Sequence, residues 1–496
     1  MKHLIAALAL GLLVAQSQPV PHTHLVIVVD GLRPDYVTPD VMPRLTRLGQ
    51  RGIVFSRHHS VFPTVTRVNA SSFVTGTYPE SHGLLGNEIY VPTVDATRSL
   101  DTGERKNLES VGRAEGRLLT APTLGELLER GGRKLLAVSS GSTGSSFLLN
   151  NTVANGAILH TEYTLPDGLG ARVAAVLGPP PPQATPNDAQ NQRAIDGYLK
   201  IGLDEIHPDV TWMWLNDPDG TAHENGIGAT ITRTSLSLVD AGIGRVEDTL
   251  EAKGLLNRTN IIVTSDHGFS THRRGFNLEA LVEPFAKRTS NGAKDIVVAE
   301  GAIYIRPPDP SRLSAIVAAL QRRPEVGAIF TRPGPGGGAK GVVPGTLSYE
   351  VARWNHARAG DILVSANWTS DANPAGFKGT TTQGGVAGHG SSSPFDVHNT
   401  LIAAGPDFKE HVVSNVPTGN VDLAPTILRL LNLPVPSSMS GRVIEEGLRN
   451  GPAMSSVRMS HRSERVATPD GAYQLTAQIS VAAGHRYLDD TEVKRK

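Results

Sequence analysis

The sequence is punctuated by short runs rich in valine, isoleucine and leucine, which alternate with segments of helical spacing. Most of the runs lack the alternation of apolar and polar residues typical of a half-exposed strand, which favours strands buried on both faces of a parallel sheet. The intervening segments carry helix boundary signals, such as Pro43 at the start of one and Gly254 after another. The pattern predicts an α/β protein, a three-layer α/β/α sandwich with a mainly parallel central sheet. The runs are residues 24–30, 134–140, 210–216, 260–266, 361–366 and 399–405.

The first 17 residues have the pattern of an export signal. Lys2 precedes a mainly apolar run at 4–15, and Ala15-Gln16-Ser17 has the small-x-small form of a signal-peptidase site. A transmembrane helix needs about 20 apolar residues, so this run is too short to be one. We therefore expect a signal peptide at 1–17, an exported protein that is periplasmic or secreted, and no stable membrane insertion after cleavage.

The rest of the chain is predicted to hold one large catalytic domain at 22–450, with a small α+β lobe inserted at 295–371. Residues 451–496 are a polar C-terminal extension to which the sequence pattern assigns no structure. The insert is recognised by its own set of predicted strands and a helix. These are predicted strands at 296–305, 326–331 and 361–368, and a helix at 311–322.

The composition narrows the classes of partner and of metal ligand. Lys+Arg and Asp+Glu both number 47, so the chain has no excess positive charge that would attract a nucleic acid polymer. We therefore expect a small-molecule partner. The chain has no cysteine, which excludes disulfides and thiolate metal ligands. Stability must therefore come from packing and from metal.

Three aspartates stand at or just beyond the carboxyl ends of predicted strands: Asp30, Asp219 and Asp266. Ligands of open α/β sheets bind in the crevice beyond these ends, so we expect the three carboxylates to converge there. Without partners they would repel one another, which indicates neutralisation by cations. His223 follows Asp219 by four residues and His267 follows Asp266 directly. Imidazole and carboxylate together suit zinc, and a pair of ions about 4 Å apart could bind both oxygens of an in-line displacement.

Thr66 lies near the start of a segment with helical spacing, residues 65–74. Free amides and the positive end of the helix dipole at this position would stabilise an alkoxide and an incoming phosphoryl group. A metal bound to the threonine oxygen would do so more strongly and would make a poor nucleophile competent. Taken alone, a threonine at this position is typical of an ordinary helix N-cap.

Six segments of the chain carry these candidate residues and their surroundings in a fixed order. They are 28–34, 62–66, 75–83 leading to Asn87, 217–223, 265–268 and 388–390. Together they resemble the nucleotide pyrophosphatase/phosphodiesterase branch of the alkaline phosphatase superfamily, and the resemblance runs from residue 24 to about 435. It implies an alkaline phosphatase-like fold for the catalytic domain.

The resemblance also implies a two-zinc hydrolase of phosphodiester or pyrophosphate bonds, with nucleotide-type, small-molecule phosphorylated substrates. Thr66 would attack phosphorus and form a phosphothreonine, which water then hydrolyses. Asn87 would donate a hydrogen bond to a non-bridging phosphoryl oxygen. The implied ligand sets are Asp219, His223 and His389 for one zinc, and Asp30, Asp266, His267 and the Thr66 oxygen for the other.

Arg67 departs from the family pattern, which leads us to expect an apolar or amide residue beside the nucleophile. Its guanidinium could bind a phosphate oxygen or a substrate carboxylate, which would favour a monoester or a phosphonate, or it could lie on the solvent face of the helix. A phosphomonoesterase or phosphonate hydrolase of the same superfamily therefore remains an alternative. A catalytically silent metal- or ligand-binding protein is another. A sulfatase is disfavoured because no cysteine can become formylglycine. The sequence does not indicate the oligomeric state.

Overall fold

The computed structural model describes residues 22–153, 155–290 and 292–496, and the predicted signal peptide at 1–17 lies outside them. The centre of the fold is a nine-stranded sheet. It is mainly parallel, as the sequence predicts, and its antiparallel members are Thr164–Leu165 and Leu401–Ala404. The order across the sheet is Val412–Ser414, Ile53–Phe55, Leu401–Ala404, Thr259–Thr264, Thr23–Val29, Val210–Leu215, Leu135–Ser139, Ala157–His160 and Thr164–Leu165.

The strands at the centre of this sheet are buried on both faces. Along Thr23–Val29, Leu25 and Ile27 belong to one hydrophobic cluster and Val26 and Val28 to another. Helices cover each cluster, so the three-layer α/β/α sandwich is confirmed. The first face carries Pro43–Arg51, Asp188–Asp196 continued by the π-helical Gly197–Ile206, and Thr230–Ala252; the second carries Thr66–Thr75, Arg105–Glu115, Leu124–Arg130, Thr143–Leu149 and Leu423–Leu430.

The antiparallel direction of Leu401–Ala404 differs from what its sequence run suggests. A strand buried on both faces shows the same unbroken apolar pattern whichever way it runs, so the pattern fixes burial and not direction. The remaining helices are short or lie at the edges. They are Pro79–His82, Gly170–Leu177, Asp219–Asn225, Leu278–Val282, Pro310–Gln321, Tyr349–Ala352 and Pro394–Val397.

A second, five-stranded sheet occupies the segment that the sequence marks as an insert. The prediction of one strand at 296–305 is wrong, because the chain turns back at Glu300 and Gly301 to form a hairpin. The predicted strand at 361–368 ends at Ala366, and Trp368 begins a strand of a separate four-stranded sheet. The five strands are, in order across the sheet, Ile296–Ala299, Ala302–Ile305, Ile362–Ala366, Val326–Thr331 and Leu347–Ser348; the four are Trp368–Ala372, Lys378–Thr381, Ser270–His272 and Ala387–Gly388.

The C-terminal extension forms a three-stranded antiparallel sheet, Met459–Ala467, Tyr473–Ala482 and His485–Arg495, which we call the C-terminal sheet. The Tyr487 hydroxyl donates to a carboxylate oxygen of Asp422 at 2.8 Å, so this sheet packs directly on the main body. The sequence gives no signal for it because its first strand is mostly exposed and polar. Short strands complete the fold: Glu88–Ile89 with Leu100–Asp101, and His58–His59 between His398–Asn399 and Thr418–Gly419.

Among the described residues, every helix is too short or too polar to cross a lipid bilayer.

Candidate active site

Three neighbouring strands of the central sheet deliver the three aspartates to one place. Thr259–Thr264, Thr23–Val29 and Val210–Leu215 lie side by side, so their carboxyl ends share one edge. Asp30 comes directly after its strand, Asp266 lies two residues beyond its strand, and Asp219 begins the helix Asp219–Asn225. The convergence expected from the sequence is therefore seen in the structure.

The aspartates and three histidines form two groups. Within each group, the ligand atoms lie within 4.8 Å of one another. One group is Asp30, Asp266 and His267, and the other is Asp219, His223 and His389. The two groups touch, because the rings of His267 and His389 stack at 3.5 Å between centroids. The side chain of His223 is 41% exposed, so the second group opens to solvent on one side.

All three histidines present the same nitrogen to the cluster. The Nδ1–H groups of His223, His267 and His389 each donate to a backbone carbonyl oxygen at 2.9 Å. A carbonyl can only accept, so the proton must be on Nδ1 and the Nε2 lone pair is free to bind a metal. Metal-binding histidines are commonly oriented by a hydrogen bond of this kind.

The carboxylates show the complementary property. One oxygen of each is buried and makes no hydrogen bond to any described residue: Asp30 Oδ1, Asp219 Oδ1 and Asp266 Oδ2. These oxygens lie 2.9 to 3.6 Å from the histidine Nε2 atoms without forming hydrogen bonds to them. A buried carboxylate oxygen without a donor is costly unless a cation balances it. The residues present therefore fit a pair of metal ions.

The electrostatics of the protein alone point the same way. Burial raises the pKa of Asp30 well above its ordinary value, and the Asp266 and Asp219 carboxylates raise it further. Burial lowers the pKa of His389 well below its ordinary value, and the neighbouring His267 adds to this. Without a metal, Asp30 therefore resists ionisation and His389 resists protonation. A divalent cation would favour the ionised form of Asp30, and the neutral His389 could bind the cation through its lone pair.

Thr66 is the first residue of the helix Thr66–Thr75, and the structure places its hydroxyl beside the first group. Its Oγ1 lies 3.4 Å from His267 Nε2, and the residue is only 7% exposed. The helix has no side-chain hydrogen bond at its N-cap, Val65. The threonine is therefore not the N-cap that its sequence position could suggest, and its hydroxyl faces the metal-type ligands.

His389 reaches the site because its loop is fastened to the segment before the nucleophile. Its Nδ1–H donates to the Thr64 carbonyl, Gly390 N–H donates to Thr64 Oγ1 at 3.1 Å, and that hydroxyl donates to the Ser391 carbonyl at 2.7 Å. Gly388 also has no room for a side chain, because a Cβ there would lie 2.9 Å from the His223 ring. A Cβ would also lie 2.5 Å from the His272 ring, so this glycine is required for the close approach of His223 and His272 to the backbone beside His389.

Asn87 and Arg67 lie at the first turn of the helix that begins with Thr66. Asn87 Oδ1 accepts a hydrogen bond from the Arg67 backbone N–H at 3.1 Å, which fixes the amide at the first turn of the helix. The Arg67 side chain is 17% exposed and lies 3.5 Å from Asp101. Its Nε is buried and makes no hydrogen bond to any described residue. The arginine is thus not spread over the solvent face of the helix.

Three further residues contact the site and are not among the candidate site residues predicted above. Trp214 Nε1 donates to Asp30 Oδ2 at 2.9 Å, and Glu300 of the second sheet accepts from the Asn87 backbone N–H at 2.8 Å. His272 places a buried Nε2, free of hydrogen bonds to described residues, beside His223. Trp214 has a sequence signal, because it is the last residue but one of its strand, as Val28 is of the neighbouring strand. The alternation of side chains therefore puts Trp214 on the same face of the sheet as Asp30, two residues after Val28.

Comparison with known proteins identifies this arrangement. A family model described as type I phosphodiesterase / nucleotide pyrophosphatase matches residues 24–390, which include every candidate site residue. The chain belongs to this family. The enzyme class expected from the sequence, a metal-dependent hydrolase of phosphoric esters and anhydrides, is confirmed at the level of the family.

The chain aligns with only part of the length of its relatives in this phosphodiesterase family. Human ectonucleotide pyrophosphatase/phosphodiesterase family member 1 is 27% identical over 249 residues, which are 49% of this chain and 23% of the human protein. Venom phosphodiesterase from Macrovipera lebetinus is 26% identical over 242 residues, 48% of this chain and 25% of that protein. Bis(5′-adenosyl)-triphosphatase ENPP4 from Bos taurus is 25% identical over 301 residues, 57% of each chain.

A solved structure shows the same fold. Murine ectonucleotide pyrophosphatase/phosphodiesterase 5, an inactive threonine-to-alanine variant in complex with AMP, superimposes with a TM-score of 0.60 at 18% identity. The match covers 86% of this chain and 100% of that one. The α/β fold predicted from the sequence, alkaline phosphatase-like in architecture, is confirmed.

Proposed function

We propose that this chain hydrolyses phosphodiester or pyrophosphate bonds of nucleotide-type substrates, with Thr66 as nucleophile and two zinc ions as cofactors. The observation that carries the proposal is the position of the Thr66 hydroxyl, 3.4 Å from His267 of the first group of metal-type ligands, whose ring stacks on His389 of the second group. The names of the relatives support nucleotide-type substrates, as does the AMP bound to the murine neighbour.

Carboxylate and imidazole ligands in sets of three are typical of zinc sites that keep a position open for substrate. Bound there, zinc would supply Lewis-acid stabilisation of the charge that develops on the attacking and departing oxygens. The proposed ligands are Asp30, Asp266, His267 and Thr66 Oγ1 for one ion, and Asp219, His223 and His389 for the other.

The residues of the chain then act in two in-line displacements. Thr66 Oγ1 attacks phosphorus, the P–O bond to the leaving group breaks, and a phosphothreonine is formed. Water attacks the same phosphorus in the second step, and Thr66 regains its hydroxyl. Asn87 Nδ2 makes no hydrogen bond to any described residue, so it can donate to a non-bridging phosphoryl oxygen while Oδ1 is held by Arg67 N–H.

The reaction class is tested with two chromogenic esters. The protein is expected to hydrolyse bis-p-nitrophenyl phosphate faster than p-nitrophenyl phosphate, and to lose both activities when a chelator removes its metal. Re-addition of zinc should restore them. A preference for the monoester would instead support the phosphomonoesterase or phosphonate hydrolase alternative. Zinc binding without hydrolysis of either ester would identify a catalytically silent binding protein.

Arg67 provides the one observation that favours the monoesterase alternative. Arg67 directly follows the nucleophile in the chain, and its buried Nε makes no hydrogen bond to any described residue, so it is a charged donor without a partner on the first turn of that helix. A dianionic monoester would gain more from this charge than a monoanionic diester. Asp101, 3.5 Å away, partly satisfies the same guanidinium and so limits the effect.

We expect Arg67→Ala to lower kcat/KM for p-nitrophenyl phosphate by roughly 10-fold more than for the diester, the size of one charge-assisted hydrogen bond. Steady-state kinetics on both esters measure this ratio. Arg98→Ala is a suitable control, because Arg98 is exposed and pairs only with nearby Asp95 among described residues. Equal losses on the two esters would assign Arg67 a structural role.

We further propose that the chain is divided as its sequence indicates, with a signal peptide at 1–17, a catalytic domain at 22–450 with an insert at 295–371, and an extension at 451–496. The protein would then be exported to the periplasm or secreted, and would act on small phosphorylated molecules without stable membrane insertion. N-terminal sequencing of the protein recovered from outside the cytoplasm tests the cleavage after Ser17.

A further inference from the structure

A third group of metal-type side chains lies outside the candidate active site. His59, His398 and Asp489 each offer one nitrogen or carboxylate oxygen, and these atoms lie within 4.8 Å of one another. The two histidines face each other on paired antiparallel strands, with ring centroids 4.6 Å apart. Asp489 comes from the last strand of the C-terminal sheet. The group thus joins three segments that are distant in sequence, and it shares no residue with the groups at the strand ends.

The histidines of this group are oriented as those of the active site are. His59 Nδ1–H donates to the Thr418 carbonyl oxygen at 2.8 Å, and His398 Nδ1–H donates to the His58 carbonyl oxygen at 3.3 Å. Both partners only accept hydrogen bonds, so the proton is on Nδ1 and each Nε2 faces the group. This backbone carbonyl contact is the usual support of a metal-binding imidazole.

Asp489 supplies an ionised carboxylate. Its side chain is 9% exposed, and the Ser480 hydroxyl lies 2.8 Å from both of its oxygens. The Ser480 hydroxyl and the His59 ring both lie within hydrogen-bond distance of the carboxylate and favour its charged form. Oδ1 lies 2.9 Å from His59 Nε2, and the nearest arginine, Arg57, is 3.7 Å away and partly exposed. The buried negative charge therefore has no arginine or lysine in hydrogen-bond contact among the described residues.

A simple ion pair between His59 and Asp489 explains part of this arrangement. With acceptors at both nitrogens, His59 would have to carry two protons. His398 is not part of that ion pair: its Nδ1–H donates to the His58 carbonyl oxygen, which leaves the Nε2 lone pair available beside His59. A divalent ion in place of the proton on His59 Nε2 would bind this nitrogen, the His398 Nε2 lone pair and the Asp489 carboxylate together.

We propose that His59, His398 and Asp489 form a third metal site, separate from the catalytic pair, which binds a zinc-type divalent ion and fastens the C-terminal sheet to the main body. Two imidazole nitrogens and one carboxylate oxygen suit zinc. His461 of the C-terminal sheet lies nearby, with its Nδ1 3.7 Å from Asp489 Oδ2. An ion here would add a link between the C-terminal sheet and the main body, in a chain without disulfides.

The site is tested by counting zinc. The full-length protein, its His398→Gln variant and its Asp489→Asn variant are saturated with zinc, desalted and analysed by inductively coupled plasma mass spectrometry. Each variant is expected to retain one zinc per chain fewer than the wild type. Their diester hydrolysis should be unchanged, because the lost ion is not at the strand ends. His411→Gln is the matched control, since His411 lies in an exposed contact with the Gln50 carbonyl.

Equal zinc counts in the wild type and in either folded variant would overturn the proposal. The comparison is independent of the proposed function, because the difference of one ion persists even if the strand-end groups bind no zinc. Anomalous diffraction at the zinc edge on the wild type decides the matter if both variants fail to fold. A peak between His59, His398 and Asp489 supports the site, and the absence of a peak there overturns it.

Discussion

Thr66→Ala is expected to lower diester turnover by on the order of 10³-fold or more while leaving the metal content nearly unchanged. The hydroxyl is the attacking group in the proposed mechanism, and alanine removes it without enlarging the side chain. Asp30, Asp266 and His267 remain as ligands of the adjacent ion, so zinc should stay bound. Initial rates with bis-p-nitrophenyl phosphate and zinc analysis of the same sample measure the two quantities together.

Thr66→Ser is the matched control for this substitution. It keeps an oxygen at the helix N-terminus and should retain measurable turnover, because only a methyl group is lost. A rapid acid quench during turnover should also reveal a covalent adduct on residue 66 in the wild type and in the serine variant. If Thr66→Ala hydrolysed the diester at a rate close to that of the wild type, water would have to attack phosphorus directly, and the role proposed for Thr66 would be wrong.

The strand-end aspartates show how far the sequence alone leads. Asp30, Asp219 and Asp266 could be placed together because parallel strands bring their carboxyl ends to one edge, and the apolar runs before them identify those ends. His223 and His267 follow from their spacing to the aspartates. This local rule needs only the order of elements along the chain.

His389 shows where such reasoning stops. Its place in the site depends on hydrogen bonds from its loop to Thr64, and these contacts join residues more than 300 positions apart. Glu300 reaches Asn87 through the turn of a hairpin that the sequence pattern presented as one strand. The family resemblance could supply His389, but it gave no indication of Glu300 or of the packing of the C-terminal sheet. Long-range closure of loops leaves no periodic signal in the sequence.

The metal-free protein offers a second test, in which stability and activity are expected to change in opposite directions. Asp30→Asn should abolish turnover, because it removes a proposed zinc ligand. In the presence of a chelator, the same variant should raise the free energy of unfolding at neutral pH by about 1 to 3 kcal/mol. The amide oxygen can still accept from Trp214 Nε1, and the amide N–H groups can donate to the Asp266 and Asp219 carboxylates that Asp30 repels.

The pH dependence follows from the raised pKa of Asp30. A carboxyl whose pKa is higher in the folded than in the unfolded state stabilises the protein fully below the unfolded value, about 4, and this stabilisation is lost as the pH rises through the folded value. The chelated wild type should therefore lose stability from pH 4 upward, and Asp30→Asn should lose less. Denaturant unfolding with chelator at pH 5 and pH 8 measures both slopes.

Asp422→Asn is the control that separates a metal ligand from an ordinary buried aspartate. Both oxygens of Asp422 accept hydrogen bonds, from the backbone N–H groups of Gly419 and Arg442 and from the Tyr487 hydroxyl. An amide nitrogen at that position would face a donor, so this variant should be less stable with or without metal. If Asp30→Asn also destabilised the chelated protein, Asp30 would be a structural hydrogen-bond acceptor. Stability gained on removal of the charge is expected only for a carboxylate that is repelled by neighbouring carboxylates and has an oxygen without a donor, as Asp30 Oδ1 is.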